Sequence, residues 1–102
     1  MDPDKRPEVV CLCGSMRFVQ ELRVIQRDLT IAGAIVLAPV ELDVPLSEHQ
    51  WRALGALHLR RIDIADRVVV VNPGGYLGPS TSREIEYASA AGKPITYTHG
   101  ST

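Results

Sequence analysis

The chain has 102 residues, 45% of them hydrophobic and 23% charged, with eleven Lys and Arg against twelve Asp and Glu. That length suits one domain, read here over 1–102 with flexible ends at 1–7 and 99–102, and a net charge of −1 lacks the basic excess of a nucleic-acid or membrane-surface binder. No apolar run approaches the roughly 20 residues of a membrane helix, and the charged start Met1–Pro7 carries no signal-peptide core, so a soluble, cytoplasmic protein is expected.

The first apolar run, Val9-Val10-Cys11-Leu12-Cys13, is continuous rather than alternating, as in a strand covered on both faces of a parallel sheet. Cys11 and Cys13 point the same way along it. With no further cysteines and no dense histidine cluster, they read as small buried apolar residues rather than as a staple or a metal site. Gly14-Ser15 breaks the strand. Phe18, Leu22, Ile25, Leu29 and Ala32 then recur at helical spacing, and Gly33 ends that helix. Residues 34–38 form a second strand closed by Pro39, and 40–47 read as a loop. Ser47 caps a long helix reaching about Asp66, with Trp51, Leu54, Leu57, Ile62 and Ala65 facing inward.

The four valines Val68 to Val71 predict a central buried strand. Asn72 to Pro79 is a loop by composition, 81–91 a short helix stopped by Gly92, and 93–97 a fourth strand. The order β-α-β-α-β-α-β, joined by right-handed crossovers, predicts a three-layer α/β sandwich around a mainly parallel four-stranded sheet. In such sheets ligands sit beyond the carboxyl ends of the strands, near the point where strand order reverses. Two loops occupy that edge: Gly14-Ser15-Met16-Arg17 and the segment from Asn72 to Ser82.

In the first loop, backbone amides at a helix start and the charge of Arg17 favour an anion, although the segment matches neither phosphate-binding glycine motif. Ser15 is equally an ordinary helix cap, and Arg17 equally a solvated residue, though its sign opposes the helix dipole. In the second loop, Gly74, Gly75 and Gly78 permit close backbone approach, Ser80, Thr81 and Ser82 offer hydroxyls, and Tyr76 could stack on one base. Glu84 has two readings: the far end of a Thr81-x-x-Glu84 capping box, or a carboxylate held at the ligand edge. His58 likewise reads either as a packed helix residue or as a catalytic one. Glu86 points elsewhere, to solvent. Asp63 and Asp66 oppose the dipole at the long helix's end, where Arg60, Arg61 and Arg67 offset them.

Cys13-Gly14-Ser15-Met16-Arg17 after the first strand, Ala65-Asp66 before the valine strand, and Glu84 ahead of Gly92-Lys93-Pro94-Ile95 resemble the nucleoside 2-deoxyribosyltransferase superfamily, which includes the 2′-deoxynucleoside 5′-monophosphate N-glycosidases. Gly74-Gly75-Tyr76-Leu77-Gly78 through Glu84-Ile85-Glu86-Tyr87-Ala88 is similar to its short bacterial members. The resemblance implies a Rossmann/flavodoxin-like fold and cleavage of the bond between a sugar C1′ and a base nitrogen, with Glu84 as the nucleophile. It further implies that Gly14, Met16 and Arg17, with Ser15, line a nucleoside or nucleoside monophosphate pocket. The loop holding Asn72, Gly75, Tyr76, Gly78, Ser80 and Ser82 matches the site for the sugar's 5′ group. Relatives often carry a tyrosine where Cys11 stands, and their assisting aspartate aligns near His58, with Asp63 one turn on. Larger relatives extend past the fourth strand and complete a neighbouring subunit's pocket. A homodimer joined through the Trp51–His58 helix is therefore expected, with no metal, organic cofactor, nucleic acid or membrane as partner. Hydrolysis is favoured over transfer. The alternative is a non-catalytic nucleotide-binding or sensing module, and a purely structural domain is a third reading.

Overall fold

The valines owe their continuous apolar character to a sheet covered on both sides. In a computed structural model, which describes residues 6–100, the strands are β1 (Val9–Gly14), β2 (Ile35–Leu37), β3 (Arg67–Val71) and β4 (Ile95–Tyr97). The helices are α1 (Val19–Ile31), α2 (Glu48–Ile64) and α3 (Pro79–Ala90), and 3-10 turns span Met16–Phe18 and Pro73–Gly75. Apart from residues 6, 7, 99 and 100, the ends expected to be flexible at 1–7 and 99–102 fall outside the described residues.

All four strands are parallel, in the order β2-β1-β3-β4, with Cys11 beside Val68 and Gly14 beside Val71. Successive side chains leave a strand on opposite faces. Val10, Leu12, Val69 and Val71 therefore pack on Leu22, Ile25 and Leu29 of α1. Cys11, Cys13, Val68 and Val70 pack on the other side against Ile62, Ala65 and Ala88, from α2, its C-terminal cap and α3. Every residue from Val68 to Val71 is at most 7% exposed, as befits β3, which with β1 is central in a three-layered sandwich, a Rossmann/flavodoxin-like fold. The order reverses between β1 and β3, so the crevice beyond their carboxyl ends is the place for a ligand.

Local chemistry sets where the helices start and stop. Ser47 Oγ accepts from the Gln50 amide (3.1 Å) while Gln50 Oε1 accepts from the Ser47 amide (2.8 Å), a reciprocal cap for α2. Gly33 and Gly92, at φ 101° and 73°, take the left-handed conformation that ends α1 and α3. At the far end of α2, Lys93 Nζ donates to the carbonyls of Asp63 (3.1 Å) and Ala65 (2.8 Å), a cation on the negative pole of the dipole. Asp63 is paired with Arg60 (3.2 Å) and accepts from the Tyr87 hydroxyl (2.7 Å), while Asp66 accepts from the Val9 amide (2.8 Å) and so ties the end of α2 to the start of β1.

Two expectations need correction. Trp51 and Leu57 do not face inward; they are 58% and 52% exposed. Helical periodicity cannot show how far a neighbour extends: β1 and β3 cover the C-terminal half of α2, where Ile62 and Ala65 are buried, but not its N-terminal half. α3 starts at Pro79, two residues before the position expected, and ends at Ala90. Proline at the first helical position has φ already set and lacks an amide that would go unpaired there anyway. No helix among the described residues is long and apolar enough to cross a membrane.

Candidate functional site

The shifted start of α3 settles the local role of Glu84. With Gly78 as N-cap and Pro79 first, Thr81 lies inside the helix, and no side chain caps its start. The Thr81–Glu84 capping box is therefore not formed. Glu84 instead shares the inward stripe of α3 with Thr81, 3% exposed, and Ala88, fully buried, spaced three and four residues away. Its carboxylate projects toward α2, where the side chain of His58 lies on the matching inward stripe, and Oε1 is 3.8 Å from His58 Nε2. The two side chains are only 17% and 5% exposed.

Nε2 of His58 is also 3.7 Å from Cys11 Sγ and 3.6 Å from Cys13 Sγ. On the other side of the ring, Arg61 Nη1 is 3.5 Å from Nδ1. Both cysteines are free and fully buried. Four titratable groups thus converge beneath the carboxyl ends of β1 and β3. Burial pushes the Glu84 carboxyl above its ordinary range, against the opposing charge of His58 and the proximity of the Cys13 thiol. Burial would lower the His58 imidazolium, but hydrogen bonding to Cys11 and the negative charges of Cys11 and Glu84 outweigh it and hold the group above the usual histidine value. A hydrogen bond from the Cys13 thiol, with His58 adjacent, lowers Cys11 to about 6 in spite of burial. Cys13 is pushed up by the same pairing and by burial.

His58 and Glu84 form part of the wall of a cavity of about 320 Å³ at the strand-order switch. Gly14, Ser15 and Met16 line it from the first loop, and Tyr76, Gly78 and Ser80 from the second. Ser15 lines the cavity, and its Oγ accepts from the Arg17 amide (3.3 Å) as the cap of the first 3-10 turn. The other four expected residues lie outside the wall. The Arg17 guanidinium stacks 4.3 Å from the centre of the Tyr76 ring, against whose edge Phe18 also packs. Asn72 is 1% exposed and ties the end of β3 to the segment after β4: its amide donates to Thr98 Oγ1 (3.2 Å) and its Oδ1 accepts from the His99 amide (3.0 Å). Gly75 closes the second 3-10 turn, its amide donating to Asn72 O (2.8 Å). Ser82 is half-buried within α3.

Sequence reasoning missed Arg61, Gly55 and Pro39, which also line the cavity. It read Trp51 and Leu54 as core, whereas they wall the cavity from the overhanging half of α2. The residue spacing i, i+3, i+4, i+7 that links Trp51, Leu54, Gly55 and His58 was the available signal. The convergence of Cys11 and Cys13 on a histidine 47 and 45 residues away had no local signal.

No family model and no curated protein matches the sequence. Among solved structures, that of the 2-deoxyribosyltransferase from the psychrotolerant bacterium Bacillus psychrosaccharolyticus, a biocatalyst for nucleoside synthesis, is similar to this chain with a TM-score of 0.70 at 19% identity. The match covers 92% of this chain and 75% of that one, and it shows a shared fold.

Proposed function

We propose that this protein cleaves the N-glycosidic bond of a nucleoside or nucleoside monophosphate, with Glu84 as nucleophile and His58 as the proton-carrying partner. The observation that carries the reading is the Glu84 carboxylate, 17% exposed and 3.8 Å from His58 Nε2, in the wall of a cavity at the strand-order switch of a deoxyribosyltransferase-like fold. A cavity of about 320 Å³ falls within the range of small-molecule sites, roughly 300–1,000 Å³. Trp51 and Tyr76 offer flat surfaces for a base, and the start of α3 offers backbone amides and the Ser80 hydroxyl for a 5′ hydroxyl or phosphate.

In the first step a Glu84 oxygen bonds to C1′ as the C1′–N bond breaks through an oxocarbenium-like transition state. The bonding pair leaves with the base nitrogen, which takes a proton supplied by His58 Nε2. In the second step neutral His58 accepts a proton from water as its oxygen bonds to C1′, and the ester bond to Glu84 breaks to return the carboxylate. Water is the acceptor favoured here, because Met16, Trp51 and Tyr76 around the cavity are 41%, 58% and 40% exposed and solvent reaches it. The same intermediate would deliver the sugar to a second base if one bound first. The protein acts as a homodimer joined through the outer face of α2, where Leu57 and Ile64, one heptad apart, are 52% and 66% exposed.

The test is a panel of ribo- and deoxyribonucleosides and their 5′-monophosphates, incubated with the protein and assayed for free base by chromatography, with and without an acceptor base. Free base from at least one member supports the reading. Saturable binding of a panel member with no base released from any would make the protein a binding module instead.

A further inference from the structure

We propose that Cys11 Sγ, Cys13 Sγ and His58 Nε2 form a binding site for one zinc ion, with the fourth coordination position facing the cavity. The site shares His58 Nε2 with the proposed glycosidic reaction, so the zinc-bound form cannot use that nitrogen to carry a proton; the test is made on substrate-free protein and reads metal binding alone.

Three observations support it. The first is convergence. All three donor atoms lie within 4.8 Å of one another. Tetrahedral zinc, with bonds of about 2.3 Å to sulfur and 2.0–2.1 Å to nitrogen, separates a sulfur from a nitrogen by about 3.5 Å. The two separations here are 3.7 and 3.6 Å, so little movement is needed to close the three donors around an ion.

The second is preorganisation. Cys11 and Cys13 alternate correctly along β1 to face α2, and β1 is held by β2 on one side and β3 on the other. His58 is held one helical turn before Ile62, which is fully buried against the same sheet face. Ligands fixed in this way give up little conformational freedom on binding.

The third is that one nitrogen meets both sulfurs. Nε2 lies 3.7 Å from Cys11 Sγ and 3.6 Å from Cys13 Sγ, with the Glu84 carboxyl 3.8 Å away. A cation placed among the two sulfurs and the nitrogen would replace these long contacts with direct bonds beside an acidic group.

The donor set selects the ion. Two thiolates and an imidazole suit zinc and disfavour the oxygen-seeking magnesium and calcium. Three protein ligands with one position open is the pattern of an accessible rather than a closed zinc site. His58 borders the cavity, which gives the ion a route to otherwise buried sulfurs. Metal on Nε2 leaves the ring proton on Nδ1, so Arg61 must turn from its 3.5 Å approach into the cavity that it lines.

The experiment uses the reduced, full-length, substrate-free protein, titrated with Co²⁺ and followed by absorption, then with Zn²⁺ in competition and by calorimetry. The expected result is a thiolate-to-cobalt charge-transfer band and tetrahedral visible bands that saturate at one equivalent and disappear when Zn²⁺ is added. Cys11→Val and Cys13→Val keep an apolar side chain of similar size, and each should weaken zinc binding by at least about 100-fold, since even groups that only orient ligands are worth 10–100-fold. The surface His49→Gln, His99→Gln double variant should bind as the parent does. Should a valine variant fail to fold, the parent spectrum still decides. No charge-transfer band at stoichiometric Co²⁺, or zinc binding that survives both valine substitutions, overturns the proposal. Base release is read separately, by the nucleoside panel on the metal-free protein.

Discussion

Gly14→Ala tests how tightly β1 and β3 are drawn together where the cavity begins. Gly14 ends β1 beside Val71, and a Cβ built on it would lie 2.8 Å from the Val71 carbonyl oxygen, inside the 3.0 Å that real Cβ atoms essentially never breach. Val71 Cβ at 3.4 Å and Leu22 Cδ2 at 3.5 Å close the remaining space. The obstacle is backbone, which cannot rotate away as a side chain could, so the two central strands must part or tilt. Overpacking of this kind costs about 1–3 kcal/mol. A loss of about 2 kcal/mol in a domain of this size corresponds to a fall in melting temperature of about 8–16 °C. Gly55→Ala is the matched control: Gly55 lies inside α2 and its Cβ would meet nothing within 4 Å. That substitution should stabilise the protein by about 0.5–1 kcal/mol through helix propensity alone. Thermal and urea melts followed by circular dichroism give both values. A Gly14→Ala protein as stable as the parent would refute the close approach of β1 and β3.

Ser47→Ala removes one arm of the reciprocal cap and should cost about 1 kcal/mol in the same melts, with no change in helix content below the transition. Glu84→Gln should change stability in a pH-dependent way. Burial raises the folded carboxyl pKa, so the neutral form's advantage is present at acid pH and lost as pH rises through that folded value. Glutamine mimics the neutral form, so the variant should gain melting temperature over the parent at pH 8 and little at pH 4; a larger gain at pH 4 would contradict the burial argument. Sedimentation at micromolar concentration should show a dimer, and Leu57→Arg should shift it toward monomer; a monomeric parent would remove the α2 interface from the account.

The sheet was readable because its signal is local. Residues Val9 to Cys13 and Val68 to Val71 are apolar without alternation, which only a doubly covered strand accommodates. Gly33, Ser47 and Gly92 marked helix ends through chemistry contained within a few residues. The start of α3 was placed two residues late although Pro79 carried the signal, because Thr81-x-x-Glu84 fitted a different local rule equally well. Trp51 and Leu57 were misplaced because an apolar stripe does not reveal where the surface it packs on ends. Glu84 and His58 were legible as candidates, but their convergence with the cysteines was not, for a topological reason. Cys13, His58 and Glu84 meet only because α2 and α3 lie on the same face of the sheet, and their approach at 3.6 and 3.8 Å is set by packing that no spacing along the chain encodes.

The central claim is that the Glu84 carboxylate attacks the sugar, and one comparison tests it most directly: base release and ligand binding, measured side by side for the parent and Glu84→Gln with the most reactive member of the nucleoside panel. Glutamine keeps the shape of the side chain and removes only the attacking anionic oxygen. The account predicts that base release falls by at least about 10³-fold, as for loss of other nucleophiles, while the ligand binds as tightly as before or tighter. Release at the parental rate by a Glu84→Gln protein that still binds the ligand would contradict it.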